Sequence, residues 1–415
     1  MNTAQERDSL QEPRTASMLS VVIPAYNEEQ GLAAIIERVL AVRPALALDG
    51  IGLELLVVDD GSRDGTAEIA RRYADVRLVQ HSTNRGYGAA LKTGFAAACG
   101  EWLGFMDADG TYPPEELPAL CAVLCTGDGA DLVVGSRRSG QSSEMPFLRR
   151  VGNRLWSGLV STLGGRRVLD PASGMRVFRR EILARLYPLP DGLNLTPVMS
   201  TRAIHEGIRL AEIPIPYRER QGRSKLSVVN DGMRFLGTIV WTVLTYNPAR
   251  PLGLLGVGLF SLGVLAALGL VIARLAGITS LGPMGVLVAY LAALLPVVGF
   301  DLFALGATFN YAVSLFHARP VRQGLFGRPI FDPPLDRHFW WMGLLAGGAG
   351  IALGAASLVL GLNGWGVERL WLYLLGAAAL TMLGLNLLVF WLIMRVLEEL
   401  SHRQADIQAD LACVP

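Results

Sequence analysis

Histidine and cysteine are scarce, five and four among 415 residues. The cysteines, Cys99, Cys121, Cys125 and Cys413, share no metal-ligand spacing with a histidine, which excludes zinc-finger and related thiolate sites. No disulfide framework is implied, as suits a reducing compartment. Cys121 and Cys125 lie four apart on an expected helix and read as small, buried apolar side chains. A dominant charge is missing too. The 37 Lys and Arg are balanced by 36 Asp and Glu, so no basic footprint points to nucleic acid. Glycine is absent from the first strand-to-helix turn, Pro24-Ala25-Tyr26-Asn27-Glu28, and Gly86-Tyr87-Gly88 lacks a third small residue at the right spacing. Neither segment makes a dinucleotide fingerprint, and no Walker phosphate loop occurs. Residues 1–18 have no apolar core, which argues against a signal peptide and for a mobile tail.

Charge itself nearly vanishes between residues 250 and 400. Four apolar stretches there, about 252–271, 286–309, 340–362 and 370–394, are long enough to cross a bilayer core, which takes about 20 helical residues. They predict a four-helix transmembrane domain over 251–398, followed by a tail over 399–415. Arg319, Arg322, Arg328 and Arg337 fill the middle connection, and Arg395 and Arg403 flank the C-terminus, whereas Arg274 and Arg369 stand nearly alone in the other two connections. The positive-inside rule then puts both termini and the middle connection in the cytoplasm. Asp301 falls within the second stretch, where a carboxylate either serves function or is satisfied by a neighbouring helix. Residues 228–250 mix apolar residues with Arg234, Trp241 and Tyr246, the pattern of a juxtamembrane helix lying at the interface. In 147–163, Phe147, Val151, Leu155, Leu159 and Leu163 recur every four residues among Arg149, Arg150 and Arg154. That spacing fits an amphipathic helix packed on a soluble core as well as one on a membrane surface.

The segment 19–227 reads differently. LSVVIPA, LELLVVDD, VRLVQ, EWLGFMDAD and ADLVVGS are short runs rich in Val and Ile, separated by helical patterns such as Glu28–Val42 and Asp64–Tyr73. This βα alternation predicts a Rossmann-like, mostly parallel α/β sheet with helices on both faces. Ligands of such sheets bind at the carboxyl ends of the strands, and Asn27, Glu28, Asp59, Asp60, Asp107, Asp109, Ser136 and Arg137 all fall there. Asp107-Ala108-Asp109 places two carboxylates one residue apart after an apolar strand, where both can turn toward one Mg²⁺ or Mn²⁺ that bridges a diphosphate.

VVIPAYNEE, VVDDGSRDGT, NRGYGAALKTG, MDADGTYPPEE and DLVVGSR occur in that order. Together they resemble the inverting family 2 glycosyltransferases of GT-A fold. DPASGMRVFRRE and EIPIPYRERQGRSKL resemble the branch acting on polyprenyl phosphates, the dolichyl-phosphate mannose synthases and bacterial polyprenyl-phosphate glycosyltransferases. The resemblance covers about residues 19–230. It implies that Pro24, Tyr26, Glu28, Asp59 and the Asp107-Ala108-Asp109 segment hold the nucleotide sugar, with Asp107 and Asp109 on the metal and Asp60 shaping the turn. Thr111 stands where several relatives carry a glutamine as a further ligand. The resemblance likewise implies that Arg137, Ser173, Arg176, Arg223 and Lys225 meet the acceptor phosphate and that Asp170 orients the sugar or nucleophile. Arg218, Arg220, Arg223 and Lys225 read equally as a site for anionic headgroups.

The expected reaction is transfer of one sugar from GDP-mannose or a UDP-hexose to a polyprenyl phosphate at the cytosolic face of a bacterial-type inner membrane, with inversion. An oligomer is compatible with it. Processive polysaccharide synthases share the first motifs but carry a Gln-x-x-Arg-Trp segment that does not occur here, Arg337-His338-Phe339-Trp340-Trp341 being no substitute. A different class, a non-catalytic protein that binds or moves a lipid-linked sugar, is opposed by the intact Asp107-x-Asp109.

Overall fold

The computed structural model describes residues 17–126, 129–137, 147–217, 228–278, 281–317 and 335–412. The chain forms two units, Met1–Thr242 and Val243–Pro415.

The first unit follows the order β1 (Ser17–Ala25), α1 (Leu32–Ala41), α2 (Arg43–Leu48), β2 (Ile51–Asp59), α3 (Thr66–Arg71), β3 (Val76–Gln80), α4 (Tyr87–Ala97), β4 (Trp102–Phe105), α5 (Leu117–Cys125), β5 (Leu132–Ser136), α6 (Phe147–Gly164), β6 (Arg176–Arg179), α7 (Leu183–Leu186), α8 (Leu195–His205), β7 (Leu210–Pro214) and α9 (Val228–Tyr246). The unit boundary falls inside α9. The strands make one sheet in the order β3-β2-β1-β4-β6-β5-β7. The five expected strands are present and parallel to one another. The sequence reading did not foresee β7, or β6, which runs antiparallel between β4 and β5. β6 has only four residues, Arg-Val-Phe-Arg, too few for an alternation to stand out from its charged flanks.

Alternation sorts the core. Leu19, Val21 and Ile23 of β1 join one buried cluster with Leu32, Ile35, Ile36 and Val39 of α1, a stripe at helical spacing, and with Leu117, Leu120, Cys121 and Leu124 of α5. Cys121 is buried as expected, but Cys125 is exposed. On the opposite face Gly94 of α4 sits against Val22, close enough that a Cβ there would overlap it. Phe95 packs edge-on to Phe178 at 5.4 Å between ring centres. β1 has β2 on one side and β4 on the other, so the chain reverses its direction of sheet growth at β1. The crevice at the carboxyl ends of β1 and β4 is therefore the place where such sheets take ligands.

The second unit contains α10 (Ala249–Leu275), α11 (Pro283–His317), α12 (Phe339–Leu362) and α13 (Val367–Ala412). Four segments among the described residues are long and apolar enough to cross a membrane: Ala249–Leu275, Pro283–Val313, Leu335–Leu362 and Leu370–Leu400. Each is longer than the stretch expected from sequence. Both hairpins close on glycine. Gly256 and Gly263 of α10 lie against Gly299 and Pro296 of α11, and Gly343 and Gly350 of α12 lie against Gly384 and Thr381 of α13. Small residues let helix backbones approach closely where lipid removes the hydrophobic drive to associate. Asp301 is not isolated. Asn386 Nδ2 donates to its Oδ1 at 2.7 Å, linking α11 to α13, so the carboxylate is satisfied by a neighbouring helix. Near one end of these helices, Arg395 bridges Asp336 and Glu398.

Candidate active site

The first turn after β1 is built from side chains that bind backbone. Asn27 has φ +50°, a left-handed conformation that asparagine tolerates better than most residues. Its N–H donates to Ser62 Oγ and its Oδ1 accepts from Arg63 N–H, both at 2.9 Å. Glu28 N–H donates to Thr66 Oγ1 at 2.9 Å. The β1 and β2 loops are thus laced together, and Pro24, Tyr26 and Glu28 stand half-buried at the crevice edge.

Asp59 and Asp60 close β2 and are both buried. Asp59 accepts from Ser62 N–H at 3.0 Å and from Gln80 Nε2 at 3.1 Å. Asp60 accepts from Arg85 N–H at 2.9 Å and Gly86 N–H at 2.8 Å, and His81 Nδ1 lies 2.7 Å from it. Asp60 therefore organises the 81–86 loop, the turn-shaping part expected of it. That loop delivers Tyr87. Gly86, at φ +102°, and Gly88 lie under the carbonyls of Asp191 and Pro190, where a Cβ would overlap them. Asp191 O accepts from Gly88 N–H at 2.7 Å, so these glycines admit a protein carbonyl at the α4 N-terminus.

Asp107 and Asp109 follow β4, both half-buried. Tyr87 Oη donates to Asp107 Oδ1 at 2.8 Å. Burial and the Asp107 charge raise the Tyr87 pKa well above its ordinary value, so it remains a donor. The Asp107 carboxylate lies directly over Gly174, where an added Cβ would come within 2.7 Å of its Cγ. Thr111 is buried and its hydroxyl donates to Asp109 Oδ1 at 2.6 Å. Where several relatives carry a glutamine, this chain has a threonine whose hydroxyl is bound to Asp109.

The second half of the site is an ion pair between half-buried Arg137 and fully buried Asp170. Arg137 Nε and Nη2 donate to Asp170 Oδ2 and Oδ1 at 2.8 and 2.7 Å, and Arg137 N–H donates to Oδ2 at 3.0 Å. Asn153 Nδ2 adds a further bond to Oδ1 at 2.9 Å. Burial alone would raise the Asp170 pKa, but the Arg137 guanidinium and these hydrogen bonds hold it below the usual carboxylate range. The guanidinium lies 5.9 Å from the centre of the Tyr112 ring and 5.5 Å from that of Tyr217. Glu212 of β7 accepts from Leu169 and Asp170 N–H at 2.7 and 2.8 Å, and burial raises its pKa.

Sequence reasoning placed Asp170 on the sugar or nucleophile and Ser173 and Arg176 on the acceptor. In the structure each has partners within the protein. Asp170 is fully buried on Arg137 and Asn153. Ser173 Oγ donates to Gly135 O at 2.6 Å. Arg176 is fully buried, and its Nε and Nη2 donate to Ser173 O and Pro171 O at 3.1 and 2.7 Å. Burial pulls the Arg176 pKa down to about 10, so it remains charged at neutral pH. Arg223 and Lys225, with Arg218 and Arg220, lie outside the described residues. Ser136 Oγ, Asn153 Oδ1 and Arg176 Nη1 are buried without a protein hydrogen-bond partner. Such orphans around one ion pair mark where a polar ligand completes the bonding. Tyr112 joins the two halves of the site, since its ring backs Arg137 and its Oη accepts from Gly174 N–H at 2.7 Å beneath Asp107. Tyr87, Tyr112, Tyr217, Asn153 and Glu212 were not singled out from sequence. Tyr87, Tyr112, Glu212 and Tyr217 lay inside motifs already quoted and Asn153 inside the 147–163 helical segment, but their local patterns gave no sign of what they would bind.

An acidic pair at the switch point of a mostly parallel sheet, joined to a half-buried guanidinium and followed by helices long and apolar enough to cross a membrane, defines a membrane-bound transferase of GT-A-like architecture. The chain belongs to glycosyltransferase family 2. The family description "Glycosyl transferase family 2" matches residues 20–187, and "Domain of unknown function (DUF8752)" matches 248–408. The undecaprenyl-phosphate 4-deoxy-4-formamido-L-arabinose transferase of Salmonella paratyphi A is 31% identical over 76% of this chain and 94% of its own length. The dolichyl-phosphate hexose transferase of Haloferax volcanii is 35% identical over 54% of this chain and 92% of its own. The low-salt glycan biosynthesis hexosyltransferase Agl6 of the same organism is 35% identical over 60% of this chain, which spans 59% of that relative.

Proposed function

We propose that this protein transfers a single sugar from a nucleotide sugar, GDP-mannose or a UDP-hexose, to the phosphate of a polyprenyl phosphate, inverting the anomeric centre. The observation that carries this reading is the bridge through Tyr112 and Gly174. It links an acidic pair suited to a donor diphosphate to a half-buried cation suited to an acceptor phosphate. The named relatives act at polyprenyl phosphates, and the apolar helices keep such a lipid at hand.

Asp107 and Asp109 would hold Mg²⁺ or Mn²⁺. Among the described residues no group of three or more His, Cys, Asp or Glu is placed to hold an ion. Two carboxylates still suit a hard cation whose remaining ligands are substrate phosphate oxygens and water. When bound, the ion supplies charge stabilisation to the departing diphosphate. The rest of the work is positioning. Tyr87, Gly174 and Thr111 fix the two carboxylates. The laced β1 and β2 loops hold the nucleoside end, and Asp59 sits at its base. Asp170 fixes the plane of Arg137, so the guanidinium meets an incoming phosphate already oriented. An acceptor phosphate oxygen forms the new bond to the sugar C1 as the C1–O bond to the nucleoside diphosphate breaks on the opposite face. The acceptor is ionised near neutral pH, so no strong general base is required. The arginines of the middle connection and the C-terminal flank support a cytoplasmic side for both termini and for this chemistry.

The test is transfer from a panel of radiolabelled nucleotide sugars to undecaprenyl phosphate in detergent, with Mg²⁺, Mn²⁺ or chelator. One donor should give a labelled, mild-acid-labile lipid that disappears on chelation. No labelled lipid from any donor would overturn the acceptor assignment. Tyr87→Phe removes only the bond to Asp107 and should weaken Mn²⁺ binding about 10–100-fold, as loss of an outer-sphere partner does. Electron paramagnetic resonance of free Mn²⁺ reads this without turnover, and an unchanged affinity would leave Tyr87 a packing residue.

A further inference from the structure

The second unit repeats itself. Gly256 and Gly263 of α10, with Gly277 just past its end, recur at one constant interval as Gly343 and Gly350 of α12, with Gly364 just past its end. Their surroundings recur as well. A Cβ on Gly256 would run into Gly299 O, and one on Gly343 into Gly384 O. A Cβ on Gly263 would meet Pro296, and one on Gly350 would meet Thr381. Gly277 and Gly364 share a φ of +91°. The two helix ends close with the same bond, Ile278 N–H to Ala273 O and Trp365 N–H to Leu360 O, each 3.1 Å. On the second helix of each hairpin the interval is 85, from Gly299 to Gly384 and from Pro296 to Thr381, and the same 85 separates Asp301 from Asn386. The unit is one glycine-seamed hairpin used twice.

The two copies meet through α11 and α13, which run parallel. Near the middle of each membrane-length segment, Asn386 Nδ2 donates to Asp301 Oδ1 at 2.7 Å. Toward their C-terminal ends, Asp336 takes Tyr311 Oη from α11 at 3.3 Å and Arg395 from α13 at 3.2 Å. Equivalent positions that face one another put an approximate two-fold axis along the helices, between Asp301 and Asn386. Within residues 251–273, 283–313, 339–362 and 370–394, Asp301 is the one charged side chain. The other titratable groups in these ranges are Tyr290 and Tyr311 of α11 and Tyr373 of α13, with none on α10 or α12. Tyr311 lies about 15 Å along the helix from Asp301. A carboxylate at that depth is costly, and neutral Asn386 bonds one oxygen without answering the charge. An asparagine at 301 would close the same contact with no charge to bury. Contact between the copies therefore does not account for the carboxylate, whereas a positive charge taken up there does.

We propose that Asp301 and Asn386 form a monovalent-cation site on the axis of the duplicated hairpin, Asp301 taking up one positive charge, a proton or an alkali ion, while Asn386 orients its carboxylate. Membrane proteins assembled from parallel repeats hold ions near the bilayer midplane, at the interface of the repeats. The second unit then responds to an ion and does more than anchor the first. The site is independent of which sugar is transferred and of whether transfer occurs.

The test uses the full chain in phosphatidylcholine nanodiscs and dicyclohexylcarbodiimide, which adds to a carboxylic acid in an apolar setting. Peptide mass spectrometry reads the adduct at Asp301 in choline, Na⁺ or K⁺ chloride at equal ionic strength, and in choline chloride as the pH is lowered. If the site takes an alkali ion, Na⁺ or K⁺ should suppress the adduct. If it takes a proton, the adduct should grow as pH falls and ignore the alkali ions. The repeat supplies a second arm. In the swap Asp301→Asn/Asn386→Asp the carboxylate moves to the equivalent position, and the adduct should move to position 386 with the same response. The thermal midpoint should stay near that of the parent, since one amide still bonds one carboxylate. No adduct at 301 under any condition would overturn the proposal. An adduct indifferent to both alkali ions and pH would do the same, as would a swap that unfolds or loses the response.

Discussion

Asp107→Asn is expected to abolish sugar transfer and leave the fold intact. Asparagine matches aspartate in volume and can still accept from Tyr87 Oη, so the contact with Gly174 and the neighbouring loop survives. What is lost is one of two carboxylate charges available to a divalent cation. With only two such ligands in the reading proposed above, the loss is not shared among many. Removing a single preorganised group that faces developing charge commonly costs on the order of 10²–10³ in kcat, and Asp107→Asn should cost at least that. Mn²⁺ affinity should fall in parallel, while circular dichroism and the thermal midpoint stay close to the parent. Asp109→Ala should behave alike and in addition release Thr111, whose hydroxyl now donates to it. Metal-dependent transfer at the parental rate in either variant would remove the acidic pair from the mechanism.

Asp170→Ala should be worse for the protein than for any one step. Asp170 is fully buried, and its oxygens neutralise Arg137 through three bonds and take another from Asn153. Truncating one member of a buried pair leaves the other charge uncompensated, typically at a cost of about 3–5 kcal/mol. A large drop in the denaturation midpoint is expected, along with loss of transfer. Asp170→Asn separates the roles. It keeps most of the geometry and removes the charge, so a folded but weakly active protein with a raised KM for the lipid acceptor would place Asp170 behind Arg137. An unchanged KM with a collapsed kcat would put it on the reacting atoms instead. The pH dependence follows from the lowered pKa. The unfolded-state pKa is about 3.9, and the folded one lies below it. The ion pair therefore contributes its full stability above roughly pH 5 and loses it progressively as pH falls through about 4 toward the folded value.

The parts of this architecture legible from sequence were those written in short-range periodicity. Five strands alternate with helices in order, Asp107-x-Asp109 ends an apolar run, and four apolar stretches are long enough to span a bilayer. What was not legible depended on tertiary rotation. The α6 periodicity left open whether its leucines face a soluble core or a membrane surface, and the bonds of Asn153 to Asp170 and of Ser157 to Val168 O, which fix its rotation, are made to residues beyond the helix. Arg137 was expected to meet the acceptor phosphate, yet in the structure it is bound to Asp170, and nothing within the GSR or DPASG segments announces that they meet. Asp301 read as either functional or satisfied by a neighbouring helix, and its partner is Asn386, 85 positions away.

The antiparallel strand β6 turns the sheet into a ruler. Phe105 pairs with Arg176, and Arg176 pairs with Val134, so the segments carrying Asp107, Gly174 and Arg137 are counted off from one ladder rather than held by independent loops. A one-residue slip would turn Arg176 to the other face and carry Gly174 away from Asp107. In the reading proposed above, the nucleoside side hangs on the β1 and β2 loops, and β6 pairs with neither β1 nor β2. On that reading, variation in donor choice would accumulate there without recalibrating the distance between the acidic pair and Arg137. Length changes between Asp170 and Arg179, however short, should be the least tolerated in the catalytic unit.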